Sequence, residues 1–235
     1  ATLSATIAAQ TAGTRTLFGT EIKALRTSGT QVTGVITSHG EIGAGSVVLA
    51  VGPWAPPLLA GVGVDLGMSL HTLELSVLRR SPDMPGLTTA ITHAPSGLVA
   101  RCGTGPFAVG VAYPAESDHP AHPGDARVGD DAEPRLRRAL TAALPAMAAA
   151  EVVSTIAGVY DVSQDWHPTL GPWPGIDGLY LAVGFSGHGL KLAPAVGEAV
   201  ADELAGRKPD IDITPLRPST APRPLRFAYG PGARA

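Results

Sequence analysis

The sequence predicts a protein of the α/β (α+β) class, in which a parallel-sheet portion is interrupted by a mainly antiparallel sheet and then resumes. Three observations predict it. Residues 46–51 (Ser-Val-Val-Leu-Ala-Val) and 179–185 are apolar runs that end in glycine-containing turns. Such runs suit strands covered on both faces, as in a parallel sheet between helices. Between about Asp65 and Val111 the texture changes to short, partly alternating runs, which fit an antiparallel sheet with one wetter face. Leu192, Val196, Val200 and Leu204 then recur along residues 190–204 and predict a helix directly after the second apolar run.

Taken in order, Leu3, Ile7 and Ala8 stand at helical spacing and Gly13 ends that first helix. Strand-like runs follow at 15–18, 21–27 and 31–38, with turn signals at Ser28-Gly29-Thr30 and His39-Gly40. Residues 70–78, 97–101 and 107–112 read as strands of the inserted sheet. Residues 114–131 are rich in Pro, Gly, Asp and His without periodicity and read as a surface loop. Asp131 can cap a helix running to Ala143, with Pro134 near its first turn. A strand follows at 151–160, then the strand at 179–185 and the helix closed by Gly206. The Pro- and Arg-rich residues 207–235 read as an extended tail. The portions expected are thus 1–60, 61–155, 156–206 and the tail at 207–235.

A length of 235 residues is enough for one large domain or two interleaved ones. The net charge of −3 gives no reason to expect nucleic acid or an anionic membrane as partner. No apolar run is long enough to span a bilayer, and a cytoplasmic location is expected. One cysteine, Cys102, excludes an internal disulfide and a cysteine-based zinc site. It reads as a half-buried strand residue. Of the 17 basic residues only three are Lys, at 23, 191 and 208, so the placement of each is informative.

The most informative stretch is Gly184-Phe185-Ser186-Gly187-His188-Gly189-Leu190-Lys191. It joins a strand to a helix start, where unpaired N–H groups and the positive end of the helix dipole are exposed. Three glycines in six residues give a flat or anionic group close access to the backbone, although an ordinary tight turn reads the same way. A lysine in the first turn opposes the dipole by about 0.3–1 kcal/mol, which suggests that Lys191 meets a negative charge, although a solvated surface lysine reads the same way. His188 could carry a proton, donate a hydrogen bond or serve the turn alone. Weaker candidates are His119-x-x-His122, which lacks a third ligand, and His167, a turn histidine that could also line a ligand. Ser186 has neither a base partner nor a Gly-x-Ser-x-Gly elbow. No metal site is expected.

Residues 184–194 (Gly-Phe-Ser-Gly-His-Gly-Leu-Lys-Leu-Ala-Pro) closely resemble the C-terminal flavin motif of the D-amino-acid oxidase superfamily, in its sarcosine-oxidase and glycine-oxidase-like branch. Residues 47–55 and 158–172 agree with that family in order and spacing, and the resemblance covers nearly the whole chain except the tail. It implies a partial FAD-binding domain with an inserted, mainly antiparallel substrate-binding domain. It also implies an enzyme that passes a hydride from a secondary amine or amino acid, such as sarcosine, dimethylglycine or a proline relative, to FAD. Gly187, His188, Gly189 and Leu190 would then meet the flavin, with Gly52 and Trp54 near the dinucleotide and Glu21 and Ile22 on the adenine side. Lys191 would bind the substrate carboxylate and, with His188, serve the reaction. Apart from the resemblance, Arg101 follows a strand of the inserted sheet and could face the substrate, or lie at the surface. FAD would be held non-covalently, because the position at which some members carry an attaching cysteine is Gly158 here.

The chain departs from the family in one respect. The Gly-x-Gly-x-x-Gly turn that opens a helix and holds the FAD pyrophosphate is missing, and Gly103-x-Gly105 is followed by a strand-like run instead. Two expectations follow. Either a further N-terminal segment or a second chain supplies that turn, or the chain is a truncated or split-subunit homologue acting as a non-catalytic module.

Overall fold

The computed structural model describes residues 2–80, 89–102, 105–112, 119–120 and 122–219. Gly103 of the Gly103-x-Gly105 pair, the Cys102 side chain, residues 114–118 and 121 of the expected loop and residues 220–235 of the expected tail lie outside this set. Helix α1 (Thr2–Thr11) forms where the apolar spacing predicts it, yet none of its residues is buried. Residues 15–18 form no strand. An antiparallel meander of β1 (Ile22–Ser28), β2 (Gln31–Thr37) and β3 (Gly40–Gly43) follows, with β2 central. Strand β4 (Val47–Leu49) runs into a 3-10 turn at Gly52–Trp54 and helix α2 (Ala55–Ala60).

The inserted sheet is β5 (Ser69–Arg79), β6 (Ala90–His93), β7 (Leu98–Cys102), β8 (Phe107–Ala112) and, beyond helix α3 (Ala132–Ala143), β9 (Glu151–Val162). Its spatial order is β6-β7-β8-β5-β9 and every pairing is antiparallel. Residues that alternate along a strand leave on opposite faces, and this separates two surfaces. Leu78, Leu98, Ala100, Ala108 and Ala112 form one core with Leu136, Ala139 and Leu140 of α3. On the other face His71, Leu73 and Leu75 of β5 stand opposite Tyr160, Gly158 and Ile156 of β9. Asp131 is the N-cap residue of α3 but makes no side-chain cap bond, because its carboxylate pairs with Arg135 instead.

The chain then returns to the first portion through β10 (Thr169–Pro172), β11 (Leu179–Val183) and helix α4 (Gly189–Leu204). Strand β11 pairs antiparallel with β10 and parallel with β4, register Leu179–Val47 to Leu181–Leu49. Leu179, Leu181 and Val183 join the core beneath the meander and α2, while Ala182 packs with Ala199 of α4.

Two sequence expectations need correction here. The run at 46–51 is not covered on both faces throughout: Val48 is 38% exposed, and among the described residues β4 pairs on one edge only. Along α4, Val200 is buried but Leu192 and Leu204 are exposed. A spacing of four advances each residue by about 40° beyond a full turn, so the stripe winds off the packed face at both ends. No helix among the described residues is long and apolar enough to cross a membrane.

Candidate functional site

The turn between β11 and α4 is held in an uncommon backbone path. Gly184, Ser186 and Gly187 have φ of +73°, +50° and +81°. For Ser186, a residue with a Cβ, that conformation is disfavoured and must be imposed by its surroundings. The imposing partner is the end of β9. Asp161, 5% exposed, accepts a hydrogen bond from Gly184 N at Oδ2 (2.6 Å), and its backbone oxygen accepts from Ser186 N (3.0 Å). Ser186 Oγ in turn accepts from Ser163 N at 3.2 Å, so the buried hydroxyl serves the turn and has no nucleophile's setting.

Just beyond β9 the chain is tied to itself. Ser163 Oγ donates to the His167 carbonyl oxygen at 2.8 Å, and His167 N donates to Asp165 Oδ1 at 3.1 Å. His167 Nδ1 lies 2.6 Å from the Asp165 backbone oxygen, which can only accept, so Nδ1 carries the ring proton.

The result is an open helix start. His188 is the N-cap of α4 and makes no side-chain cap bond, and there is no acidic residue in the first turn. Gly187, Leu190 and Lys191 are exposed. A Cβ added to Gly187 would meet the Tyr160 ring at 3.6 Å, so the glycine backbone lies close beside the phenol ring. Burial lowers the His188 pKa, and the nearby charges of Lys191 and His167 lower it further. The imidazole is therefore neutral near pH 7 and can donate or accept one hydrogen bond without adding charge.

Gly52 (φ +51°) opens the turn after β4, and a Cβ there would stand 4.0 Å from Asp161 Oδ1. Asp161 therefore lies against both turns that the sequence marks as cofactor-binding. Beside Gly52, Trp54 is 52% exposed and lines a concavity of about 640 Å³ together with Glu21, Ile22, Lys23, Ala50, Val51, Pro57, Leu58 and His122. Glu21 and Ile22, expected on the adenine side, and Trp54, expected near the dinucleotide, thus share one cavity.

Arg101 stands apart from His71 along the inserted sheet. It pairs with Val109, which pairs with Val77 of β5. Val77 lies six residues from His71, about 20 Å along the strand at ~3.4 Å per residue. His122 caps the turn at Pro123–Asp125 by accepting from Gly124 N, and His119 packs on His71. No group of three His, Cys, Asp or Glu that could hold a metal occurs among the described residues.

Sequence reasoning did not single out Tyr160 and Asp161. The available signal was a lone carboxylate closing a long uncharged run, since residues 152–160 carry no charge.

Residues 1–203 match the family DAO, FAD dependent oxidoreductase. The chain is 34% identical over 207 residues to a glycine oxidase of Pseudomonas aeruginosa, covering 85% of this chain and 52% of that protein. It is 35% identical over 202 residues to FAD-dependent oxidoreductase domain-containing protein 1 of Bos taurus, covering 80% and 40%. Among solved structures, glycine oxidase from Geobacillus kaustophilus superposes with a TM-score of 0.78 at 27% identity, over 91% of this chain and 55% of that one. L-proline dehydrogenase from P. horikoshii gives the same TM-score at 23% identity, over 90% and 56%, and shares the fold. The chain spans about half the length of the curated relatives it matches. By the match over residues 1–203, the chain belongs to the DAO family of FAD-dependent oxidoreductases.

Proposed function

We propose that the protein oxidises a carboxylate-bearing secondary amine or amino acid at the carbon beside nitrogen, with non-covalent FAD as acceptor. The observation that carries this reading is the turn itself: Gly187-His188-Gly189 opens an uncapped helix start, and exposed Lys191 lies one residue farther into the helix from Leu190. The residues present fit FAD. The exposed backbone at Gly187 and the uncapped start of α4 offer N–H donors to the edge of a flat ring, and the cavity at Glu21, Ile22 and Trp54 offers an apolar wall and a carboxylate for an adenosine end. When bound, FAD supplies the two-electron acceptor.

The chain's own residues then bind and orient. The N–H groups at the start of α4 and the helix dipole favour negative charge at the ring edge next to them. Neutral His188 adds a hydrogen bond there without adding a second cation beside Lys191. Lys191 meets the substrate carboxylate, and Tyr160 closes the opposite side. The 34% identity to a glycine oxidase supports an amino-acid substrate class, and sarcosine, dimethylglycine and proline relatives are the candidates. The pyrophosphate-holding turn would come from a further segment or a second chain. Arg101 would face a more distant part of the substrate domain. We take the protein to be cytoplasmic.

Anaerobic reduction of the flavin in the holoenzyme, followed near 450 nm, tests this reading. Losing a hydrogen bond between charged groups costs about 1.5–3 kcal/mol. Lys191→Ala should therefore raise the apparent substrate constant roughly 10- to 150-fold at 1.4 kcal/mol per decade. An unchanged constant would remove Lys191 as the anchor.

A further inference from the structure

The cavity beside Gly52 is lined from two separate parts of the chain. Glu21 and Ile22 reach it from the start of β1, and Trp54, Pro57 and Leu58 from the turn after β4 and from α2, but His122 comes from the inserted portion. Packing brings it there: the 3-10 turns at Gly52–Trp54 and at Pro123–Asp125 both lie against β9. His122 has no part in the roles above.

The turn holds this imidazole in one orientation. His122 N donates to Asp125 Oδ2 at 3.1 Å, the His122 carbonyl oxygen accepts from Asp125 N at 3.0 Å, and Nδ1 accepts from Gly124 N at 3.0 Å. A Cβ added to Gly124 would press on Nδ1 at 3.2 Å, so the ring sits close against the turn backbone. Arg127 Nη1 ties the same turn by donating to the Gly124 and Ala126 oxygens, both at 2.8 Å. A backbone N–H donates and never accepts, so Nδ1 is bare and the ring proton sits on Nε2. The ring is exposed, and Nε2 has no hydrogen-bond partner among the described residues. A donor already fixed in place gives up little freedom when it meets an acceptor.

We propose that His122 is a cofactor-binding residue whose Nε2–H donates to the adenosine end of FAD, so that the inserted portion grips the cofactor together with the first portion. This rests on the functional reading above, which places that end in this cavity. The lining suits an adenosine: the half-exposed Trp54 indole offers a face on which a purine stacks, and Glu21 accepts from hydroxyl or amino donors. What those two leave unmet are the acceptors of an adenosine, its ring nitrogens and ribose oxygens, and His122 supplies the neutral donor for one of them.

The test titrates apoprotein prepared from the holoenzyme, unsubstituted and with His122→Asn, with FAD and with FMN, which carries the flavin but no adenosine; quenching of flavin fluorescence gives both affinities. Asparagine keeps a side-chain oxygen to accept from Gly124 N and so keeps the turn, but it leaves no donor where Nε2 stood. Loss of one neutral hydrogen bond corresponds to about a 2- to 12-fold weaker FAD complex, with FMN affinity unchanged. An unchanged FAD affinity overturns the proposal, and so does an equal loss for both flavins, which marks a structural role. Histidine NMR of the unsubstituted apoprotein, with AMP as the probe, gives a readout that needs no flavin. AMP should shift the His122 Nε2 signal, and a signal that stays in place through the titration, or an Nδ1–H tautomer, overturns the proposal. If no flavin binds the unsubstituted protein, the functional reading fails and the proposal with it. FAD bound with the same preference over FMN in His122→Asn removes only His122.

Discussion

Replacing Asp161 by Ala should loosen both cofactor turns at once, and the size of the effect can be worked from its contacts. The side chain is 5% exposed and accepts from Gly184 N at 2.6 Å, and its Oδ1 looks onto Gly52. Removing it deletes one hydrogen bond to a charged group, about 1.5–3 kcal/mol, and leaves the Gly184 N–H buried without its acceptor. The backbone bond from Ser186 N to the Asp161 oxygen survives, so the turn is weakened and not abolished. A loss of about 3 kcal/mol in unfolding free energy is therefore expected for Asp161→Ala, and roughly half that for Asp161→Asn, which keeps an acceptor but not the charge. Because unfolding the turn competes with ligand binding, flavin affinity should fall as well. At 1.4 kcal/mol per decade, a turn destabilised by 3 kcal/mol corresponds to about a 100-fold weaker complex. Urea denaturation gives the stability and quenching of flavin fluorescence gives the affinity. If Asp161→Ala unfolds within 0.5 kcal/mol of the unsubstituted protein, as an ordinary surface substitution does, and binds flavin equally well, Asp161 does not hold the turns and the reasoning is wrong.

Gly184→Ala should cost about 1–3 kcal/mol from its left-handed φ of +73°, with further strain because the added Cβ would press on Met68 Sδ and Ser163 Cβ at 3.3 Å; thermal unfolding measures it. At the other end of α4, Tyr180 donates to Glu203 at 2.5 Å, and Glu203 also pairs with Arg217. Burial, then the hydrogen bond to Glu203, pushes the Tyr180 pKa up to about 12. The folded state thus binds this proton more tightly than the unfolded chain does. Its stabilisation is fully present below pH 10 and is lost as pH rises toward 12. Denaturation at pH 9 and at pH 12 should show that loss in the unsubstituted protein, and Tyr180→Phe should remove this component of it.

Much of the candidate site was legible because its signals are local. The residues at 184–191 need only their neighbours in sequence to show a crowded glycine turn, a helix start and a misplaced lysine. Helix α3 and strand β8 were legible for the same reason, since their boundaries are marked by turn residues and their periodicity is regular. Short elements were not: β3, β6 and β10 have four residues each, too few to display a period. Asp161 and Tyr160 read only as part of a strand, because what distinguishes them is the company of Gly184, Gly52 and Gly187, residues that stand far from them in sequence.

The sequence by itself determined that Gly187-His188-Gly189 opens a helix beside Lys191 and that an antiparallel sheet stands between β4 and β11, which pair in parallel. Both follow from backbone chemistry and side-chain periodicity, which act over a few residues. Only the tertiary structure decided that one buried carboxylate, Asp161, lies against both cofactor turns, that Arg101 lies about 20 Å along the sheet from His71, and that His71 and Tyr160 share the face meeting the turn. Those relations depend on strand register: shifting a pairing by one residue sends every side chain to the opposite face, and no local pattern records which register the packed core selects.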